Sequence, residues 1–177
     1  YNIPRLFFIR RKLKKKFIDA YLTFSNSINV QEDRMTSLPS LLKRLPEKDE
    51  DKAIFLKLDI EGSEWEIIDD IVSSAPFLTG LALEVHDLDQ MPEQLDYLIN
   101  ILSDNGLKIV HVHPNNAGGF CNGTSLPRLL ELTFLNSKLF SKDELEANLL
   151  EPFHYQHHLD RPCDPKQPEM ILSSKNK

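Results

Sequence analysis

The stretch IFLKLDIEGSEWEII at 54–68 constrains this chain more than any other. Its first part, 54–60, is apolar at Ile54, Phe55, Leu56, Leu58 and Ile60, interrupted by Lys57 and Asp59. So nearly continuous a run predicts a strand covered on both faces, as in a parallel sheet. Gly62 provides a turn, Ser63 a helix N-cap, and Glu64 and Glu66 suit the positive end of a helix. Trp65, Ile68 and Val72 follow at helical spacing and predict a helix over 63–74. Such a strand–turn–helix unit leaves Asp59 and Glu61 at the carboxyl end of the strand, where open α/β sheets bind ligands.

Downstream the pattern repeats. LALEVH at 81–86 predicts a second buried strand, and Pro92 sits at the first turn of a helix running to about 104. Gly106 closes that helix, and LKIVHVH at 107–113 predicts a third strand. A loop rich in Asn, Gly and Pro at 114–127 leads to a fourth strand at 128–136. With no helix between the third and fourth strands, the two must pair antiparallel. The order β-α-β-α-β-β predicts an α/β fold with a mixed, mostly parallel sheet. Upstream, 36–45 is expected as a short helix capped by Thr36 or Ser37. Apolar residues at steps of three and four predict a basic amphipathic helix over 5–24. The chain thus divides into a basic helix and loop at 1–33 and an α/β part at 34–177.

Charge narrows the partners. The net charge is −6, yet residues 1–16 carry seven Lys or Arg and no acid, which leaves the remainder near −13. An acidic α/β part does not suit nucleic acid. The basic helix packs on its own domain or offers a surface for membrane contact. No apolar run approaches the ~20 residues of a membrane span, and the basic cluster follows the apolar LFFI rather than preceding it, unlike a secretory leader. The cytoplasm is the expected compartment. Cys121 and Cys163 are far apart in sequence, have no metal-ligand spacing, and are expected as free thiols.

Three strands end in polar groups on the same rim: Asp59 and Glu61 on the first, Glu84 and His86 on the second, His111, His113, Asn115 and Asn116 on and after the third. Carboxylates and imidazoles on one rim suit general acid–base work. Taken singly, Asp59 is equally a helix cap, and His86 and His113 ordinary loop-edge residues. Glu84 lies within an apolar run and needs a partner, for which Lys57, Lys108 or a backbone donor are candidates. Asp59, His86 and His113 also have the ligand types of a metal site, without a tight motif such as HExxH.

FLKLDIEGSEWEII, LALEVH, HVHPNNAGG and LPRLLELTF together resemble the FkbM-like class I methyltransferases, over roughly 34–172, and the tail LDRPCDPKQPEMIL at 158–172 is similar to the ending of some members. The resemblance implies a Rossmann-like sheet in which 54–60 is the fourth of seven strands and 128–136 the antiparallel seventh, lying between the fifth and sixth. It implies S-adenosylmethionine as cofactor and methyl transfer to oxygen of a small-molecule or glycan acceptor. Asp59 would lie near donor and acceptor, Glu61 and His86 would orient or deprotonate the acceptor hydroxyl, and His113, Asn115 and Asn116 would line the acceptor side. The family's N-terminal half carries a glycine-rich loop at the cofactor, whereas no glycine precedes Gly62 here. The chain is therefore expected to correspond to the C-terminal half of such an enzyme, lacking the cofactor-binding half and binding S-adenosylmethionine weakly or not at all by itself. The rival readings are a non-catalytic binding domain and a metal-dependent hydrolase.

Overall fold

The computed structural model describes residues 21–22, 35–43, 54–143 and 159–172. The expected basic helix at 5–24 lies outside them apart from its last turn, where Tyr21–Leu22 is a short strand, β1, rather than helix. It pairs in parallel with β2, Met35–Thr36. Helix α1, Leu38–Lys43, follows, and of the two expected caps it uses Ser37. Ser37 Oγ accepts from the Ser40 amide at 3.4 Å, and its carbonyl accepts from Leu41 at 2.9 Å.

The main sheet has four strands: β3 Phe55–Leu58, β4 Gly80–Val85, β5 Leu107–Pro114 and β6 Leu130–Asn136. Their spatial order is β3-β4-β6-β5. The fold is thus α/β with a mixed sheet. β3 runs parallel to β4, while β6 is antiparallel to both of its neighbours. β3, β4 and β5 therefore point the same way. Because β6 is inserted between two of them, only one of the three ladders is parallel, which corrects the expectation of a mostly parallel sheet in terms of pairing. The outer edge of β3 has no strand partner among the described residues.

One sheet face is apolar. Leu56 and Leu58, Leu81 and Leu83, and Leu132 and Phe134 point to it, and all six are buried. Helix α2, Ile68–Ser74, and helix α3, Pro92–Asp104, contribute Ile68, Ile71, Leu98 and Leu102 to the same core. Pro92 opens α3 and Gly106, at φ +87°, follows its end, both as the sequence predicts. The opposite face is polar, with Lys57, Glu84, Glu131, Thr133, His111 and His113 in its rows. β3 accordingly alternates exposed and buried residues. The expectation of a strand covered on both faces is corrected here: Phe55 stays 40% exposed on the polar side.

The histidines reach that polar face through an irregularity in β5. Ile109 stands opposite Phe134, but His111 stands opposite Thr133, so Val110 is an extra residue. A one-residue bulge reverses which face every later side chain meets. Without it His111 and His113 would turn into the core and Val112 would turn out. The phase change is visible in LKIVHVH, where the polar residue moves from an even position, Lys108, to odd ones.

Phe134 sits fully buried on the inserted strand and Phe77 lies 64% exposed. Phe134→Ala is expected to cost ~3–5 kcal/mol of unfolding free energy. Phe77→Ala should change it by no more than ~0.5 kcal/mol. Denaturant titration of both variants checks the contrast, and equal effects would contradict the assigned core.

Candidate functional site

The turn after β3 is built around a side chain that the sequence marks only as acidic. Glu61, at φ +56°, and Gly62, at φ +98°, both adopt left-handed backbone, so the chain reverses sharply out of the strand. For Glu61 this conformation is strained and must be held by its surroundings. The hold is Glu64, which is 1% exposed. Its Oε1 accepts from the Ile60 amide and its Oε2 from the Gly62 amide, each at 3.0 Å. The helix over 63–74 accordingly starts as a 3-10 turn, Ser63–Ile67, with no side-chain cap from Ser63. The carboxylate of Glu64 replaces the expected serine cap.

Glu64 also reaches across to β4. Its Oε1 lies 3.1 Å from His86 Nδ1, just beyond the end of that strand. Trp65 Nε1 donates to the His86 carbonyl at 2.9 Å and fixes the backbone there. The other ring nitrogen, Nε2, lies 3.7 Å from Glu61 Oε2, which is well exposed. The hydrogen bond to Glu64 raises the His86 pKa; burial opposes it, and the charges of Glu64, Glu84 and Glu61 add to the rise, which reaches about 8. Asp59 stands in the same group: one ligand-type atom each from Asp59, Glu61 and His86 lies within 4.8 Å of the others. Asp59 and Glu61 thus converge through the left-handed turn, not through continued strand. Lys57 Nζ approaches Asp59 at 3.9 Å.

His113 belongs to a second group. Glu84, Glu131 and His113 stand opposite one another across β4, β6 and β5. His113 Nδ1 is 2.8 Å from Glu131 Oε2, and Nε2 is 3.1 Å from Glu169 Oε1 in the tail. Burial disfavours its cation, but the two carboxylates outweigh burial and raise its pKa. A metal group joining His113 to Asp59 and His86 is not what the structure assembles: His113 gathers instead with Glu131 and Cys163.

Glu84 finds its partner in neither expected lysine. Asn115 Nδ2 donates to Glu84 Oε1 at 2.7 Å, while Lys108 bonds Ser103 at the end of α3. Burial raises the Glu84 pKa, which the Asn115 bond partly offsets. Asn115 Oδ1 in turn accepts from the Ala117 amide. Asn116 is buried and ties down the tail: its Nδ2 donates to the carbonyls of Asp164, Gln167 and Pro168, and its Oδ1 accepts from the Asp164 amide. His111 and His113 stack with ring centroids 6.4 Å apart, and His111 Nε2 meets Asp160 at 3.0 Å.

Of the polar strand-end residues, Asp59, Glu61 and His86 gather in one group and His113 joins Glu131 and Cys163 in another, while Glu84 pairs with Asn115, His111 with Asp160 and Asn116 with the tail backbone. Sequence reasoning missed Glu64, Glu131, Asp160, Cys163 and Glu169. Glu131 carried the same signal as Glu84, an acid within an apolar strand. The tail residues carried none, because only folding brings them to the sheet. Among the described residues no helix is long and apolar enough to cross a membrane. No protein-family model, no curated protein and no solved structure matches the chain.

Since folding raises the His86 pKa from an ordinary ~6.5 to about 8, the protonated ring stabilises the fold. That contribution is full below pH ~6.5, declines as pH rises, and is gone above pH about 8. The difference in unfolding free energy between the parent and His86→Gln should therefore shrink between pH 6 and pH 9. Glu64→Gln should return the His86 pKa towards its ordinary value in an NMR titration. An unchanged midpoint would remove Glu64 as the cause.

Proposed function

We propose that this segment forms the acceptor-side part of a Rossmann-like class I methyltransferase of the FkbM-like kind. It would move a methyl group from S-adenosylmethionine to an oxygen acceptor of small-molecule or glycan type. One observation carries the reading: an antiparallel strand, β6, lies between β4 and β5. The resemblance implies that placement for the seventh strand, with β3 as the fourth. The polar groups then lie at the carboxyl ends of β3, β4 and β5, where an α/β sheet binds ligands.

In this reading the described residues supply the acceptor side of the site, and the nucleoside side is not assigned to them. A Cβ on Gly62 would meet Asp87 Oδ2 at 3.1 Å, and one on Gly118 would meet Leu129 at 2.5 Å. Both of these glycines are packed against protein, whereas Gly119 and Gly123, in the loop after β5, face open space. Calorimetric titration of these 177 residues with S-adenosylmethionine is expected to show weak binding or none. Micromolar affinity would overturn that expectation.

The chain's own part is to bind and orient the acceptor and to take its proton. An acceptor hydroxyl between Asp59 and His86 has Nε2 as its nearest base, with Glu61 beside it. In the neutral ring Nε2 accepts the proton, and Glu64 stabilises the imidazolium that forms. Alignment of acceptor and donor supplies the larger share of the rate.

In the protein that carries this segment, Asp59→Asn is expected to lower methyl transfer ~10²-fold or more with the fold intact. Because His86 must lose its proton to act as base, turnover should rise with pH around a midpoint near 8. Glu64→Gln should move that midpoint down. Undiminished turnover in Asp59→Asn would leave Asp59 as no more than a strand-end partner of Lys57.

A second reading rests on the same cluster. Asp59, Glu61 and His86 are close enough to share a cation, and a metal-dependent hydrolase would use them so. Hydrolysis abolished by chelation and by Glu61→Gln, without methyl transfer, would favour it.

A further inference from the structure

The C-terminal tail meets the sheet at His113, which the resemblance places on the acceptor side, and at Glu131, to which the resemblance gives no role. Cys163 Sγ lies 3.8 Å from Glu131 Oε1, and Glu131 Oε2 lies 2.8 Å from His113 Nδ1. One donor atom from each of the three falls within 4.8 Å of the other two. His113 and Glu131 are cross-strand partners on β5 and β6, so the sheet holds them in register. Cys163 comes from 50 residues later in sequence than His113, and the tail that carries it is anchored by the four hydrogen bonds of Asn116. Two strands and a tethered tail thus present a nitrogen, an oxygen and a sulfur to one point.

We propose that His113 Nδ1, the Glu131 carboxylate and Cys163 Sγ bind one divalent cation of the zinc class, with a fourth position open to water. Ligand atoms on a tetrahedral zinc stand about 3.3–3.8 Å apart, from bond lengths of about 2.0–2.3 Å. The spacing here needs only small side-chain shifts to reach that. The mixed nitrogen, oxygen and thiolate set selects a borderline-soft ion over magnesium or calcium.

Two further observations favour a cation at this point. First, His113 Nε2 faces Glu169 Oε1 at 3.1 Å, leaving Nδ1 as the ring nitrogen that meets Glu131. A carboxylate that takes the distal N–H of a ligating histidine sets its tautomer and strengthens it as a ligand. Second, the acids are under-compensated. Among the described residues neither Lys nor Arg pairs with Glu84, Glu131 or Glu169, and Glu169 Oε2 is buried without a hydrogen bond. Cys163 is an exposed free cysteine, so its sulfur is open to an incoming ion.

Binding is balanced in protons. The cation displaces the thiol proton of Cys163 and the proton shared by His113 Nδ1 and Glu131, both to solvent. His113 keeps its Nε2 proton, bonded to Glu169. The bound ion clasps the tail to the carboxyl rim of the sheet. The observations behind this inference do not depend on methyl transfer, although His113 belongs to both readings.

The test uses the purified, reduced chain, loaded with cobalt(II) and then with zinc. Expected is one equivalent of cobalt with tetrahedral absorption and a thiolate-to-metal charge-transfer band, release of about two protons, and displacement by zinc. Cys163→Ser should abolish the charge-transfer band, whereas Cys121→Ser and Glu61→Gln should leave it intact. Glu169→Gln should weaken binding ~10–100-fold and keep the band, as expected for a group that positions a ligand. No charge-transfer band in the parent, or a band that survives Cys163→Ser, would overturn the proposal.

Discussion

A buried carboxylate has to be satisfied, and in this protein the way Glu64 is satisfied sets the geometry of the rim. A charge with 1% exposure is costly unless donors surround it. Its donors are the Ile60 and Gly62 amides and the His86 ring. The two amides point at one spot only because Glu61 and Gly62 turn left-handed. Strain at Glu61, the sharp exit from β3 and the orientation of His86 are therefore one linked arrangement. Removing the charge would release all three at once, since each depends on the same two oxygens.

The second constraint is the extra residue in β5. It turns His111 and His113 onto the polar face, where Glu131, Asp160 and Glu169 meet them. The same shift returns Val112 to the core. A regular strand satisfies either the core or the rim at this point, and the bulge lets it satisfy both. The polar face is then free to receive the tail, which docks through polar contacts of Asn116, His111 and His113 and through the apolar side chains of Met170, which is buried, and Leu172, which packs against the core.

The two proposals, methyl transfer and metal binding, would place different demands on neighbouring parts of one surface. The group around His86 has an exposed carboxylate, Glu61, and a titrating ring, which suits a site that acts on an acceptor. The group around His113 has both ring nitrogens engaged by carboxylates, which suits a fixed position and a closed network. Glu84 lies between them, bonded to Asn115 and within electrostatic reach of Asp59, His86 and Glu131.

The elements were legible in the sequence because they rest on local signals. Alternation and apolar runs placed four strands within one or two residues, and Pro92 and Gly106 bounded α3. The missing helix between the last two strands already required antiparallel pairing. The decorated strand ends were legible for the same reason: Asp59, Glu84, His86 and His113 are polar residues where an apolar pattern stops or breaks. What the sequence could not decide is which of them share a group. That follows from register, the bulge and the docking of the tail, each set by contacts between residues far apart in the chain. Glu64 shows the difference most plainly. Locally it is an acid in a helix's first turn, favourable there for its charge. Only the approach of β4 makes it a buried anchor, because the partner that completes its hydrogen bonding, His86, arrives by parallel pairing of two distant strands.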